Sequence, residues 1–250
     1  MKAMILAAGL GTRLRPITDD RPKALVTVAG RTLLELTLSR LRAFGVNEVI
    51  LNVHHFADMI VDYLEANQNF GMRVEISRED VLLDTGGGLK KAAWFFLEAG
   101  ESAQQPFIVH NVDVLSTIDL ARMVRFHSEH NALATLAVQQ RDTSRPLLFN
   151  QQGQLCGRRA GRDAEPEWAL AAQQVDPLAF CGIHVVSPRI FANLPEQGVF
   201  SIIPAYLRLA SQGEPIFAFR ADEYYWRDLG RPENIAEAER DLKSGKFSAN

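Results

Sequence analysis

Cysteine is scarce: Cys156 and Cys181 are the only two in 250 residues. They have no metal-ligand spacing and read as reduced thiols in an intracellular protein, which excludes a disulfide-stapled scaffold. No apolar run is long enough to cross a bilayer, and the apolar start is too short for a secretory signal, so the reading is soluble and cytoplasmic with no membrane partner. Charge of one sign is lacking too. Lys plus Arg number 27 against 30 Asp plus Glu, a formal net charge of −3, so a basic surface that coats nucleic acid is excluded and any anion site must be local. No Pro/Gly/Ser tract divides the chain and no internal repeat runs through it. Hydrophobic residues make up 47%, enough for a buried core.

Apolar runs of strand length alternate with segments of helical period. Lys2–Ala8, Glu48–Val53, Arg73–Ser77 and Pro106–Val114 read as strands. Between them, Arg31–Gly45 places Leu34, Leu38 and Leu41 on one face, with Thr32 and Glu35 spaced as a capping box and Gly45 at its stop. Phe56–Asn67 carries Phe56, Met59, Ile60, Tyr63 and Leu64 in helical register, and Gly88–Gly100 carries Leu89, Ala92, Ala93, Phe96 and Leu97. Trp94, Phe95, Phe96 and Phe70 are expected in the core. Past residue 140, Leu147–Leu170 reads as a hairpin and polar loop, Leu178–Val186 as a strand and Ser201–Gly213 as a helix with Pro204 in its first turn. Ile216–Gly230 reads as a strand entering a turn, and Arg231–Gly245 as a closing helix.

This alternation predicts an α/β fold: one domain over 1–250, with a mainly parallel sheet covered by helices on both faces. In such sheets ligands bind at the carboxyl ends of the strands. Two chemistry-bearing stretches fall there, the glycine loop after the first strand and Asp113 after "FIVHNV".

The loop, "AAGLGTRLRPITDDRPKAL", is glycine-rich and cationic. It is not a dinucleotide fingerprint, because Leu14 stands where the third glycine belongs, and not a Walker loop, because Leu14-Arg15-Pro16 replaces Gly-Lys-Ser/Thr. What remains is a turn whose backbone N–H groups can approach an anion, with Arg13, Arg15 and Lys23 to share a polyphosphate. The bland alternative is solvated cations on a turn. Two glycines, the preceding buried strand, and Pro16 and Pro22 weigh against it.

The ordered set Leu6-Ala7-Ala8-Gly9-x-Gly11-Thr12-Arg13-Leu14-x-Pro16-x-Thr18, then Pro22-Lys23-x-Leu25 and Gly30, resembles the signature of the sugar-phosphate nucleotidyltransferases, or NDP-sugar pyrophosphorylases. Weaker matches follow at Leu83–Gly88, Asn111–Asp113, Gly182 and Trp226–Gly230. The resemblance implies a Rossmann-like mixed sheet, a nucleotide-binding part over about 1–115 and a sugar-binding and closing part over about 116–250. It further implies transfer of a nucleotidyl group from an NTP to a sugar 1-phosphate with release of pyrophosphate, and a Mg²⁺ cofactor.

Role by role, the resemblance implies Arg13 and Lys23 as catalytic residues. Arg13 and the Gly9–Thr12 backbone would hold the leaving phosphates, and Lys23 would reach the α-phosphate and the sugar phosphate. Arg15 is expected at the surface. Asp113 and Asp228, the latter in "WRDLGRPE", would hold the metal. Leu6, Ala8, Gly9, Gly11, Thr12, Thr85, Gly86 and Gly87 would line the nucleotide, and Gly182 the sugar. The family's Glu-Lys-Pro element is not recognisable between Leu147 and Leu170, which leaves the sugar pocket undefined. The six histidines lack ligand spacing with the aspartates and are expected to be structural or superficial.

Among short relatives, "LDTGGGL" most resembles muramic-acid-1-phosphate uridylyltransferases, with mannose- or heptose-1-phosphate guanylyltransferases next, so UTP is favoured. A catalytically silent nucleotide sensor is the alternative of another class, and an NAD-dependent oxidoreductase is disfavoured by Leu14. Self-association is left open.

Overall fold

A computed structural model describes residues 1–98 and 105–246. In chain order the main elements are β1 (Lys2–Leu6), β2 (Thr27–Val28), β3 (Arg31–Thr32), α1 (Leu33–Ala43), β4 (Glu48–Val53), α2 (Ala57–Ala66), β5 (Arg73–Arg78), α3 (Asp84–Lys91) and α4 (Ala93–Phe96). There follow β6 (Phe107–Asn111), β7 (Val114–Ser116), α5 (Leu120–Glu129), β8 (Ala134–Gln139), β9 (Leu147–Phe149), β10 (Leu155–Arg158), β11 (Glu167–Trp168) and β12 (Asp176–Val186). The remainder is α6 (Ile202–Ser211), β13 (Ile216–Arg220), β14 (Trp226–Asp228) and α7 (Pro232–Lys243).

The main sheet runs β13-β8-β12-β6-β1-β4-β5, and β9, β10 and β11 extend it from the amino-terminal end of β12. Every pairing among β1, β4, β5 and β6 is parallel, as is β13 with β8, while β12 runs antiparallel to both β6 and β8. The expected mainly parallel α/β sheet is therefore what forms. Alternate residues of β1 enter different cores: Ala3 and Ile5 pack on one face, Met4 on the other. That is what a strand buried on both sides requires. Because β12 is reversed, its first residues lie at the same sheet edge as the carboxyl end of β6.

Helix α1 starts as the sequence implies, with Thr32 Oγ1 accepting from Glu35 N at 3.0 Å. The Glu35 carboxylate accepts instead from Arg31 Nε at 2.7 Å, so only half of the capping box closes. Leu34, Leu38 and Leu41 are fully buried, each contributing about 1.5–3 kcal/mol against exposure.

Three sequence readings are corrected. The 106–114 segment is two strands, β6 and β7, separated at Val112-Asp113, because β7 leaves the main sheet to pair with β14. The 216–230 strand likewise divides into β13 and β14. The third helix begins at Asp84, ahead of the glycine run, and breaks at Ala92. The break shifts the phase, so Phe95 and Phe96 are buried while Trp94 is 48% exposed and Leu97 also faces solvent. Trp94 is therefore not a core residue. Gly100, expected beyond that helix, lies outside the described residues. On α2, Met59 is exposed and only Ile60 and Leu64 are fully covered.

Candidate active site

The loop leaving β1 turns sharply at Gly11, whose φ of +66° suits glycine. Its carbonyl accepts from Leu14 N at 2.8 Å and from Thr18 Oγ1 at 2.9 Å, closing a 3₁₀ turn over Thr12–Leu14. Leu14 is buried beneath that turn, while Gly9, Thr12 and Arg13 stay exposed. A Cβ on Gly9 would meet nothing within 4 Å, so this stretch of backbone is open to an incoming anion. Arg15 reaches Asp19 at 3.4 Å on the surface, as expected of a residue outside the site.

Lys23 opens a second 3₁₀ turn and forms an ion pair with Asp113, the two side chains only 12% and 16% exposed. Asp113 sits between β6 and β7. Asp228 stands at the end of β14, in register with Val114. The next residue ties the strands further, since Leu229 N donates to Asp113 O at 2.8 Å. The two aspartates thus ride on adjacent rungs of one antiparallel ladder. Asp228 Oδ1 accepts from Gly230 N at 2.6 Å, and its Oδ2 lies 3.9 Å from the Arg13 guanidinium. A Cβ on Gly230 would come within 2.6 Å of the Arg13 guanidinium and 2.8 Å of Asp228 Oδ1, so a larger residue here would push those side chains from their present positions.

Arg13, Asp113 and Asp228 all line one cleft of about 880 Å³, together with Asn111, Gly182 and Trp226. Gly182 has φ +72°, and a Cβ there would sit 2.8 Å from Asn111 Nδ2. Its position in the β12 irregularity between Phe180 and His184 lets the cleft reach the strand backbone. The arrangement can hold anions at the cationic loop and a hard cation between the paired carboxylates. Among the described residues no group of three or more His, Cys, Asp or Glu side chains gathers as a metal cage. A cation here would complete its shell with substrate oxygens and water, the habit of Mg²⁺.

Residues 2–148 match the family described as nucleotidyl transferase. The chain belongs to that family. It is 35% identical over 246 residues to the N-acetylmuramate alpha-1-phosphate uridylyltransferase of Caulobacter vibrioides, covering 95% of each chain. It is 30% identical to the mannose-1-phosphate guanylyltransferase catalytic subunit beta of Xenopus tropicalis, covering 94% of this chain but 62% of that one. Among solved structures, HddC from Yersinia pseudotuberculosis in complex with GMP-PN aligns at TM-score 0.74 and 25% identity, covering 96% of this chain and 99% of that one.

In this nucleotidyl transferase the segment Thr85–Gly87 stands slightly apart from the cleft. Gly86 N and Gly87 N both donate to Phe200 O, at 2.9 and 3.1 Å, and Thr85 Oγ1 accepts from Ile202 N at 3.0 Å. A Cβ on Gly86 would lie 2.4 Å from the Phe200 ring, and one on Gly87 2.3 Å from Gly198 O. The glycines bring α3 against residues 198–202, and Ser201 and Ile203 of that segment line the cleft. Their N–H groups are therefore not free to address a base. Gly88 packs against Asn52 and the buried Glu79. Glu79 accepts from Asn52 Nδ2 at 2.8 Å and Leu83 N at 2.9 Å, while Asn52 Oδ1 accepts from Ala7 N at 2.8 Å. This network holds the exits of β1, β4 and β5 together. Leu6 O accepts from Val112 N at 3.2 Å, which ties the first loop to Asp113.

The family elements alone did not point to several cleft residues. Arg141 donates to Phe180 O at 2.7 Å and stacks 3.8 Å over the Trp226 ring, and burial pulls its pKa below the usual arginine value. Trp226 Nε1 donates to Cys181 O at 2.7 Å. Arg145, Arg158 and Arg159 line the outer part; the arginine-rich "GRRAGR" was the visible signal for the last two.

His55 and His130 are exposed, His127 and His184 are buried and bonded, and His110 is buried with Nε2 without a partner among the described residues. Burial lowers His110 and His127 to about 4 and His184 to about 3. His127 and His184 bond Thr135 and Tyr206 at 3.0 and 2.7 Å. Burial also pushes the Cys181 thiol up to about 12, which leaves it inert at neutral pH. Among the described residues no helix is long and apolar enough to cross a membrane.

Proposed function

We propose that the protein transfers the uridylyl group of UTP to a sugar 1-phosphate, N-acetylmuramate 1-phosphate foremost, with release of pyrophosphate. Transfer to a sugar 1-phosphate is the reaction of its family. The identity of 35% over 95% of both chains with a uridylyltransferase supports the base and the sugar.

The observation that carries the mechanism is the meeting of Lys23, Asp113, Arg13 and Asp228 at one cleft edge. In the reaction an oxygen of the sugar phosphate forms a bond to the α-phosphorus while the bond from that phosphorus to the β-phosphate oxygen breaks. Two anions must be brought together in line, so positioning and charge neutralisation carry the rate. The Gly9–Thr12 backbone and Arg13 hold the β- and γ-phosphates, favouring departure of pyrophosphate. The Lys23 ammonium lies between the two reacting phosphates and offsets their repulsion. Asp113 orients that ammonium, and with Asp228 would hold Mg²⁺. When bound, the ion supplies positive charge to the phosphate oxygens. Leu6, Ala8 and Gly9 line the nucleoside, with Thr85, Gly86 and Gly87 forming the wall that keeps α3 close. Gly182 makes room for the sugar. Two unpaired cysteines favour a cytoplasmic location.

The test is pyrophosphate release with Mg²⁺ across UTP, GTP, ATP, CTP and dTTP against N-acetylmuramate, mannose, heptose and glucose 1-phosphates. UTP with N-acetylmuramate 1-phosphate is expected to be fastest. Release only with GTP would replace the base assignment. Release with no pair would leave a nucleotide sensor.

A further inference from the structure

The cleft carries more positive charge than one phosphate end requires. Six arginines line it against two aspartates. Four already have work. Arg13 faces Asp228, Arg158 binds Glu167 at 2.7 Å, Arg231 approaches Glu233 at 3.7 Å, and Arg141 is engaged with Phe180 O and Trp226. Arg145 and Arg159 have no ion pair among the described residues. They are also neighbours by main chain. Arg158 pairs with Leu147 across the β9–β10 hairpin, and Arg159 N donates to Pro146 O at 3.0 Å. Arg145 and Arg159 therefore both bring an unpaired cation to the lining of the same cleft, where like charges repel. An anion between them would reverse the sign of that interaction. The reacting phosphates belong with Lys23 and Arg13, so they leave Arg145 and Arg159 unserved.

We propose that Arg145 and Arg159 form an anion subsite for a second negative group on the acceptor, so that the enzyme selects a sugar 1-phosphate bearing a carboxylate. The inference rests on the reading of the cleft as a sugar 1-phosphate site. A guanidinium fork matches a carboxylate in bidentate fashion, and two side by side read its position as well as its charge. The subsite occupies the stretch where the family's Glu-Lys-Pro element is missing, between Leu147 and Leu170, and Arg145 just before it.

The experiment compares kcat/KM with UTP for N-acetylmuramate 1-phosphate and for N-acetylglucosamine 1-phosphate, which lacks the carboxylate, in the wild type, R145A, R159A and the double variant. The wild type is expected to favour the acid at least tenfold, and the double variant to lose most of that ratio through a higher KM for the acid. Equal use of the two sugars by the wild type overturns the subsite while leaving uridylyl transfer standing. An unchanged ratio in the double variant overturns it too. Should no pair turn over, uridylyl transfer falls, and calorimetric binding of N-acetylmuramate 1-phosphate decides the subsite: equal affinity in the wild type and the double variant overturns it, and a loss of tenfold or more upholds it.

Discussion

Lys23 and Asp113, ninety residues apart in sequence, form a largely buried ion pair that joins the glycine loop to the end of β6. Each is held by a different element, so the pair reports whether the loop and the sheet edge are assembled.

Lys23→Ala and Asp113→Ala are each expected to lower kcat by about 10²-fold or more, the scale for losing one preorganised charge at a developing anion. Circular dichroism and thermal melts should remain those of a folded protein. Near-normal turnover in either variant would remove that residue from the mechanism.

Asp228→Asn should act through the metal. Loss of one of two carboxylates weakens a hard cation, so the Mg²⁺ concentration giving half-maximal pyrophosphate release should rise about tenfold. An unchanged Mg²⁺ titration would mean that Asp228 serves only to receive Gly230 N and face Arg13.

Gly87→Ala tests packing. Its Cβ would sit 2.3 Å from Gly198 O, and backbone cannot swing away as a side chain can. A loss of about 1–3 kcal/mol is expected, the cost of overpacking, measured by urea unfolding. Gly9→Ala, with open space around it, should leave stability within about 0.5 kcal/mol of wild type. Equal stabilities for the two variants would refute the contact.

The buried histidines give the fold an acid limit. His127 and His184 are held neutral, at about 4 and about 3, by burial, whereas an unfolded chain protonates them near 6.5. The unfolded state binds more protons below that value. Stability is therefore complete above about pH 6.5 and declines as pH falls toward 4, by up to about 1.4 kcal/mol per pH unit for each histidine. Urea midpoints at pH 7.5 and 5.0 measure it. The slope should be shallower in His127→Asn, and an identical slope would exclude His127 as a contributor.

The parallel strands, α1 with its Thr32 cap, and the loop from Gly9 to Lys23 were readable because each depends on nearby residues: period, capping distance, glycine spacing. The break at Ala92 and the exposure of Trp94 were not, nor was the close packing of Gly86, Gly87 and Gly88, which depends on Phe200, Gly198 O and the Asn52–Glu79 pair, some of them more than a hundred residues away. The division of 106–114 and of 216–230 was likewise hidden, because β7 and β14 become strands only by finding each other. Gly182 could be placed from its motif. The outer arginines could not, because no local rule says which turn of a polar loop will face a cleft.

Leu229 N bound to Asp113 O makes the gap between the two aspartates a ruler built from peptide units. The spacing of neighbouring strands sets the separation of their backbones. A change that disturbs the pairing of β7 with β14 would therefore move Asp113 relative to Asp228 even where neither side chain is touched.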